Sequence, residues 1–161
     1  MAELERIIFV GRYGTSREPM AMGILKDLHL LKPVEVLARG IVVQFPEPMN
    51  PKAEAVLISN GISLPDYVAE PIKLSEITEQ TLVLCMEEKN RQMLVEAFPE
   101  ITAEHVQVLS FYVGDELEIL DPYGGSVQTY GLCFESLKKS IKKLVEMLNE
   151  EETLWRKKLE S

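Results

Sequence analysis

The stretch Val10-Gly11-Arg12-Tyr13-Gly14-Thr15-Ser16-Arg17-Glu18-Pro19-Met20-Ala21 constrains this chain more than any other. Upstream of it, Ile7 to Val10 is an unbroken apolar run of the length and β-branched character of a buried strand. Downstream, Pro19 opens an apolar-periodic helix through Met20, Ile24, Leu25 and Leu28. A glycine-containing loop from a buried strand end to a helix start is a place where anions bind. The first amides of the helix have no intrahelical acceptor, and the dipole and a guanidinium such as Arg17 add positive potential.

The rest of the chain repeats the alternation. Val34 to Ala38 reads as a second strand, and Asn50-Pro51 caps and opens a helix that Gly61 ends. Ser75-Glu76-Ile77 reads as a short helical turn, Thr81 to Cys85 as a buried strand, Glu88 to Phe98 as a helix and Val106 to Leu109 as a fourth strand. Strands alternating with helices imply right-handed crossovers and a doubly wound α/β domain, with a four-stranded parallel sheet and helices on both faces. Ligands of such sheets bind at the strand C-termini near the point where strand order reverses, which is where the first loop emerges. A length of 161 residues, nearly half of them apolar, suffices for one core without metals or disulfides.

Two separated motifs give the chain a family resemblance. Phe9-Val10, then Arg17, then Pro19-Met20-Ala21, resemble the phosphate-binding loop of the low-molecular-weight protein tyrosine phosphatases and related arsenate reductases, written as Cys, five residues, Arg, and then Ser or Thr. Asp121-Pro122-Tyr123-Gly124-Gly125-Ser126 resembles that family's Asp-Pro-aromatic-Gly-Gly segment ahead of a C-terminal helix. Ala38-Arg39-Gly40, Asn50-Pro51-Lys52-Ala53, Gly61-Ile62 and Leu82 to Glu88 fall between them in the family's order, so the resemblance spans roughly residues 5 to 149. It implies an anion-binding loop at Gly11, Arg12, Tyr13, Gly14, Thr15, Ser16, Arg17 and Glu18, with Arg17 as the loop arginine, Asp121 as the general acid and Tyr123 at the pocket rim.

The departures are chemical. In the mechanism the resemblance implies, a thiolate attacks phosphorus, the aspartate protonates the leaving group, and water hydrolyses the phosphocysteine. Gly11 stands at the thiolate's position and has nothing to attack with. Ser16 has no evident base to activate it. Glu18 replaces the hydroxyl expected after the loop arginine; it suits the helix dipole but repels a phosphate dianion. At an effective dielectric of about 20, unit charges about 4 Å apart interact by about 4 kcal/mol, enough to offset much of what Arg17 contributes. Gly14, where the family carries asparagine, permits a left-handed backbone without strain. Arg12 and Tyr13 either receive an acidic or aromatic group or lie on the surface. The segment Leu64 to Glu70, where family members often carry a basic run, has Tyr67 and Glu70 instead.

Other chemistries are disfavoured. Cys85 and Cys133 lie in apolar contexts and read as core residues, which leaves no rescuing thiol and argues against arsenate reduction. His29 and His105 have no partners at metal-ligand spacing, and neither a metal nor any other cofactor is expected. A net charge of −9 argues against nucleic acid and anionic membranes as partners. With two unrelated cysteines and no long apolar segment, a cytoplasmic protein is expected.

The chain divides into a phosphatase-like domain over 1–149 and a helical extension over 150–161. Phe134, Leu137, Ile141, Leu144, Val145 and Leu148 form the stripe that packs on the sheet, and Asn149 to Glu152 interrupts it. Trp155 and Leu159 beyond the interruption either form a patch for self-association or a partner, or pack back on the domain. Three functional readings stand: a non-catalytic regulatory or binding protein whose degenerate loop holds a small oxyanion or a phosphorylated or acidic protein; a phosphatase with residual, cysteine-independent hydrolysis; and a structural domain whose loop is filled by Glu18 or Asp121. The presence of Asp121 does not require catalysis, since Asp-Pro-Tyr-Gly-Gly is also good turn chemistry.

Overall fold

The strand periodicities lead to a sheet buried on both faces. The computed structural model describes residues 3–161, apart from the side chain of Ala103. β1 (Arg6–Gly11), β2 (Glu35–Gly40), β3 (Thr81–Cys85) and β4 (Val106–Val108) form one sheet in the order β2-β1-β3-β4, every pair parallel. β1 is central, and its alternating side chains divide between two cores. Ile7 and Phe9 point into the larger, with Leu82 and Leu84 of β3; Ile8 and Val10 point into the smaller, with Val83, Cys85 and Val106. Continuous apolar runs are what a parallel sheet covered on both faces requires.

The larger core is closed by α1 (Arg17–Lys26), α2 (Pro51–Ser59) and α5 (Val127–Glu160), and the smaller by α3 (Glu88–Ala97) with Leu94 and Ile101. A short α4 (Leu109–Tyr112) follows β4 directly. Asn50 caps α2 by accepting from the Lys52 amide at 2.9 Å, and Pro51 takes the first helical position. The doubly wound sheet is therefore as expected, and β3 has the expected bounds.

The differences are local. β1 and β2 run on to Gly11 and Gly40, because the two strands stay in register to that pair and frame the loop between them. α1 begins at Arg17 rather than at Pro19, so Arg17 and Glu18 occupy its first turn. β4 stops at Val108 and Leu109 starts α4. The turn expected at Ser75 to Ile77 is a single 3-10 turn at Leu74–Glu76.

The boundary drawn at residues 149/150 falls inside the continuous α5. Asn149, which breaks the apolar stripe in the sequence, is a docking residue. Its Oδ1 accepts from the Leu31 amide at 2.9 Å and its Nδ2 donates to the His29 carbonyl at 3.2 Å. Arg156 Nη2 donates to the Leu31 carbonyl at 3.1 Å, holding the extension against the turn after α1. Trp155 lines a cavity of about 630 Å³ with Leu4, Leu30, Val34, Tyr112 and Leu148, yet stays half-exposed.

Candidate functional site: a loop filled from within

The loop is shaped by backbone contacts that exclude side chains. Gly14 has φ of 76°, a left-handed conformation that glycine adopts freely. Gly40 packs against the loop so closely that a Cβ there would sit 2.6 Å from the Tyr13 carbonyl carbon and 2.8 Å from the Gly14 nitrogen. The Ile41 amide donates to the Gly11 carbonyl (3.0 Å), Val42 to Arg12 (2.7 Å) and Asn50 to Thr15 (2.8 Å). Tyr67 donates its hydroxyl to the Gly14 carbonyl at 2.6 Å. Tyr67 thus braces the loop, a role invisible in the sequence because donor and acceptor lie 53 residues apart.

Glu18 is the side chain that decides the chemistry. It is 3% exposed, and its carboxylate lies inside the loop, where Oε2 accepts the Gly14 amide at 2.9 Å. A Cβ built on Gly11 would stand 2.7 Å from the Glu18 Cδ and closer still to Oε2. The carboxylate therefore fills the space that a side chain at position 11 would need. Burial pushes the Glu18 pKa above the ordinary carboxylate range, while Arg17 and the amides of Glu18 and Gly14 pull it down and Asp121 adds to the rise. Of the two places the sequence leaves open for Glu18, a charge beside the loop or a filling within it, the carboxylate takes the second.

Arg17 is buried, 2% exposed, and engaged within the protein. Nη1 donates to Glu87 Oε1 at 2.5 Å and to the Ile119 carbonyl at 2.6 Å, and Nη2 lies 3.9 Å from Asp121 Oδ2. The structure thus brings together Arg17 and Asp121 from sequence positions 104 apart. It adds Glu87, also buried, at the N-cap of α3. No local pattern marks Glu87 as a partner of Arg17.

The remaining predicted site residues lie around this centre. Ser16 is buried at the N-cap position of α1, without a side-chain cap bond. Thr15 is half-buried, Arg12 is exposed, and the Arg12 guanidinium lies 5.2 Å from the centre of the half-exposed Tyr13 ring. Asp121 Oδ1 accepts the Tyr123 amide at 3.0 Å in the turn that leads to α5, and Tyr123 is 80% exposed on the rim. Gly125 packs tightly under that turn, and Lys52 Nζ donates to its carbonyl at 2.5 Å.

Both thiols are buried, and burial raises each pKa to about 12, so neither is a thiolate near neutral pH. Among the described residues no group of three or more His, Cys, Asp or Glu side chains converges to hold a metal, and no helix is long and apolar enough to cross a membrane.

A central parallel sheet with an anion-type loop at the C-terminal end of β1 and an aspartate turn ahead of the last helix defines a phosphatase-type α/β domain. The family model described as low molecular weight phosphotyrosine protein phosphatase matches residues 6–154, and the chain belongs to that family. It is 31% identical over 147 residues to a protein-arginine-phosphatase of Geobacillus stearothermophilus, covering 91% of this chain and 98% of that one. It is also 31% identical over 139 residues to the low molecular weight protein-tyrosine-phosphatase PtpB of Staphylococcus haemolyticus, covering 86% and 96%. The solved structure of the YwlE arginine phosphatase from G. stearothermophilus superposes with a TM-score of 0.84 at 32% identity, covering 92% of this chain and 96% of that one. A low molecular weight protein tyrosine phosphatase from T. tengcongensis superposes with a TM-score of 0.83 at 31% identity, covering 89% and 99%.

Proposed function

We propose that this chain is a non-catalytic member of its family, a pseudophosphatase whose phosphate loop is occupied by its own Glu18 and which acts through binding or regulation. The carrying observation is the overlap between the Glu18 carboxylate and the space a side chain at position 11 would take. Three further features support it. Gly11 offers no nucleophile, the only thiols are buried and protonated, and the Arg17 guanidinium is already held by Glu87 and the Ile119 carbonyl. An oxyanion, or a phosphorylated or acidic protein, reaches the cradle only by displacing Glu18 from the Gly14 amide. The two unpaired thiols fit a reducing, cytoplasmic setting.

A second reading, residual hydrolysis without cysteine, draws on one observation: Arg17 and Asp121 remain adjacent. Steady-state hydrolysis of an aryl phosphate in the presence of a metal chelator separates the two. The pseudophosphatase reading predicts no turnover proportional to protein. Protein-proportional turnover that disappears in Asp121→Asn overturns it.

A further inference from the structure

The last two turns of α5 and the loop after α4 are opposite in character and far apart. Residues 114–121 read Gly-Asp-Glu-Leu-Glu-Ile-Leu-Asp and expose Leu117 (81%) and Leu120 (71%), flanked by the exposed Glu116 and the half-buried Glu118. Together with Leu132, Ser136 and Lys139 of α5 this loop walls a groove of about 720 Å³. The end of α5 exposes Leu154 and Leu159 at 59% and 68% beside Trp155, with Lys157 and Lys158 in its final turn. The loop is apolar and net acidic, with Glu116 and Glu118 outweighing Lys139 in the wall, and the tail is apolar and net basic, with Arg156, Lys157 and Lys158 outweighing Glu160.

The two cannot meet within one molecule. α5 is an unbroken helix from Val127 to Glu160, so a rise of about 1.5 Å per residue places Trp155 about 30 Å along its axis from Ser136 in the groove wall. Asn149 and Arg156 pin the helix against the turn after α1, which prevents it from folding back. The Lys143 ammonium already neutralises Asp115, leaving Glu116 and Glu118 as the acidic flank of the groove.

We propose that a second copy of this chain occupies the groove, the tail face of Leu154, Trp155, Lys158 and Leu159 seating on Leu117 and Leu120 with lysines beside Glu116 and Glu118. Because the joined patches differ, the contact is heterologous and each molecule keeps a free tail or a free groove for the next. Two helical turns against one loop form a small interface, so association is weak and develops at high protein concentration. Screening by salt weakens it, since part of the attraction is between charges exposed to solvent.

Complementation tests the geometry. Leu117→Asp/Leu120→Asp removes the groove face and Leu154→Asp/Leu159→Asp the tail face; all four side chains are exposed, and far-ultraviolet circular dichroism verifies the folding of each variant. Sedimentation velocity of the wild type across a hundredfold concentration range should show a rising weight-average mass that falls back in high salt. Each variant alone should stay monomeric, and an equimolar mixture should form dimers and stop there, one intact tail finding one intact groove. A wild type that is monomeric throughout overturns the proposal. So does association that survives either variant, or a mixture that fails to dimerise when the wild type associates, since those results place the contact on another surface or make it symmetric.

Discussion

The Glu18 carboxylate and the missing side chain of Gly11 occupy the same space. Built on Gly11, a Cβ lies 2.7 Å from Glu18 Cδ, far inside van der Waals contact. Glu18 is fixed there by the Gly14 amide and by its place in the buried first turn of α1. The absence of a side chain at position 11 and the inward course of the Glu18 carboxylate are therefore two sides of one packing arrangement. A chain with a thiol at 11 and the present Glu18 conformation cannot pack.

That relationship predicts non-additive stability. Gly11→Ala adds one methyl group to an occupied site and should cost about 1–3 kcal/mol, the range for overpacking. In Glu18→Ser the cavity accepts the methyl, so Gly11→Ala should cost much less on that background. Urea denaturation of the four proteins closes the cycle. Equal costs on the two backgrounds would show that the residues do not compete.

The same overlap governs any attempt to restore catalysis. Gly11→Cys alone places Sγ against the carboxylate and should give no measurable aryl-phosphate turnover. Gly11→Cys with Glu18→Ser frees the space, restores a hydroxyl after Arg17 and should turn over at least tenfold faster than the single variant. Equal rates would mean that Glu18 obstructs neither sterically nor electrostatically.

Burial of Glu18 makes stability depend on pH in a defined direction. Burial raises its folded pKa above that of an ordinary carboxylate, so between the unfolded and folded values the folded protein binds more proton than the unfolded chain. The contribution of this group is fully present below the unfolded pKa and is lost as pH rises through the folded one. Glu18→Gln removes the titration while keeping the side-chain shape. The stability difference between variant and wild type should move in favour of the variant as pH rises above the unfolded pKa. Denaturation series at matched pH values measure it, and a pH-independent difference would contradict the assignment.

Arg17 and Glu87 form a buried pair, 3% and 7% exposed at the side chain. Truncating one partner leaves the other charge buried and unmatched, which typically costs about 3–5 kcal/mol. Arg17→Met should therefore lower stability by that order, and Arg17→Met/Glu87→Met should recover much of it. Thermal unfolding of the three proteins decides. A double variant as unstable as the sum of the singles would remove the coupling.

The sheet was legible because burial on both faces leaves continuous apolar runs, as at Ile7 to Val10 and Thr81 to Cys85. The loop was legible because Gly14 marks its turn, although the helix that Pro19 signals begins two residues earlier, at Arg17. Glu18 was legible only as one of two candidates to fill the loop, beside Asp121, because an acidic residue in a first helical turn ordinarily points to solvent. Only the empty position at Gly11 reveals where this one goes. Glu87, Tyr67 and the Ile119 carbonyl were out of reach for a simpler reason: their partners in the loop lie 70, 53 and 102 residues away. Asn149 was legible as an interruption of the apolar stripe but not as a docking contact, since its partners Leu31 and His29 lie 118 and 120 residues away.

With the Glu18 carboxylate on the Gly14 amide, an oxyanion should enter the cradle only where that carboxylate is removed. Titration of isotopically labelled protein with inorganic phosphate at low salt, following the amides of Gly11 to Glu18, tests it most directly. Wild type should show no saturable shift up to tens of millimolar, whereas Glu18→Ser, with the Gly14 amide freed, should saturate within that range. Saturable shifts of equal midpoint in both proteins would mean that the cradle is open and that Glu18 does not fill it.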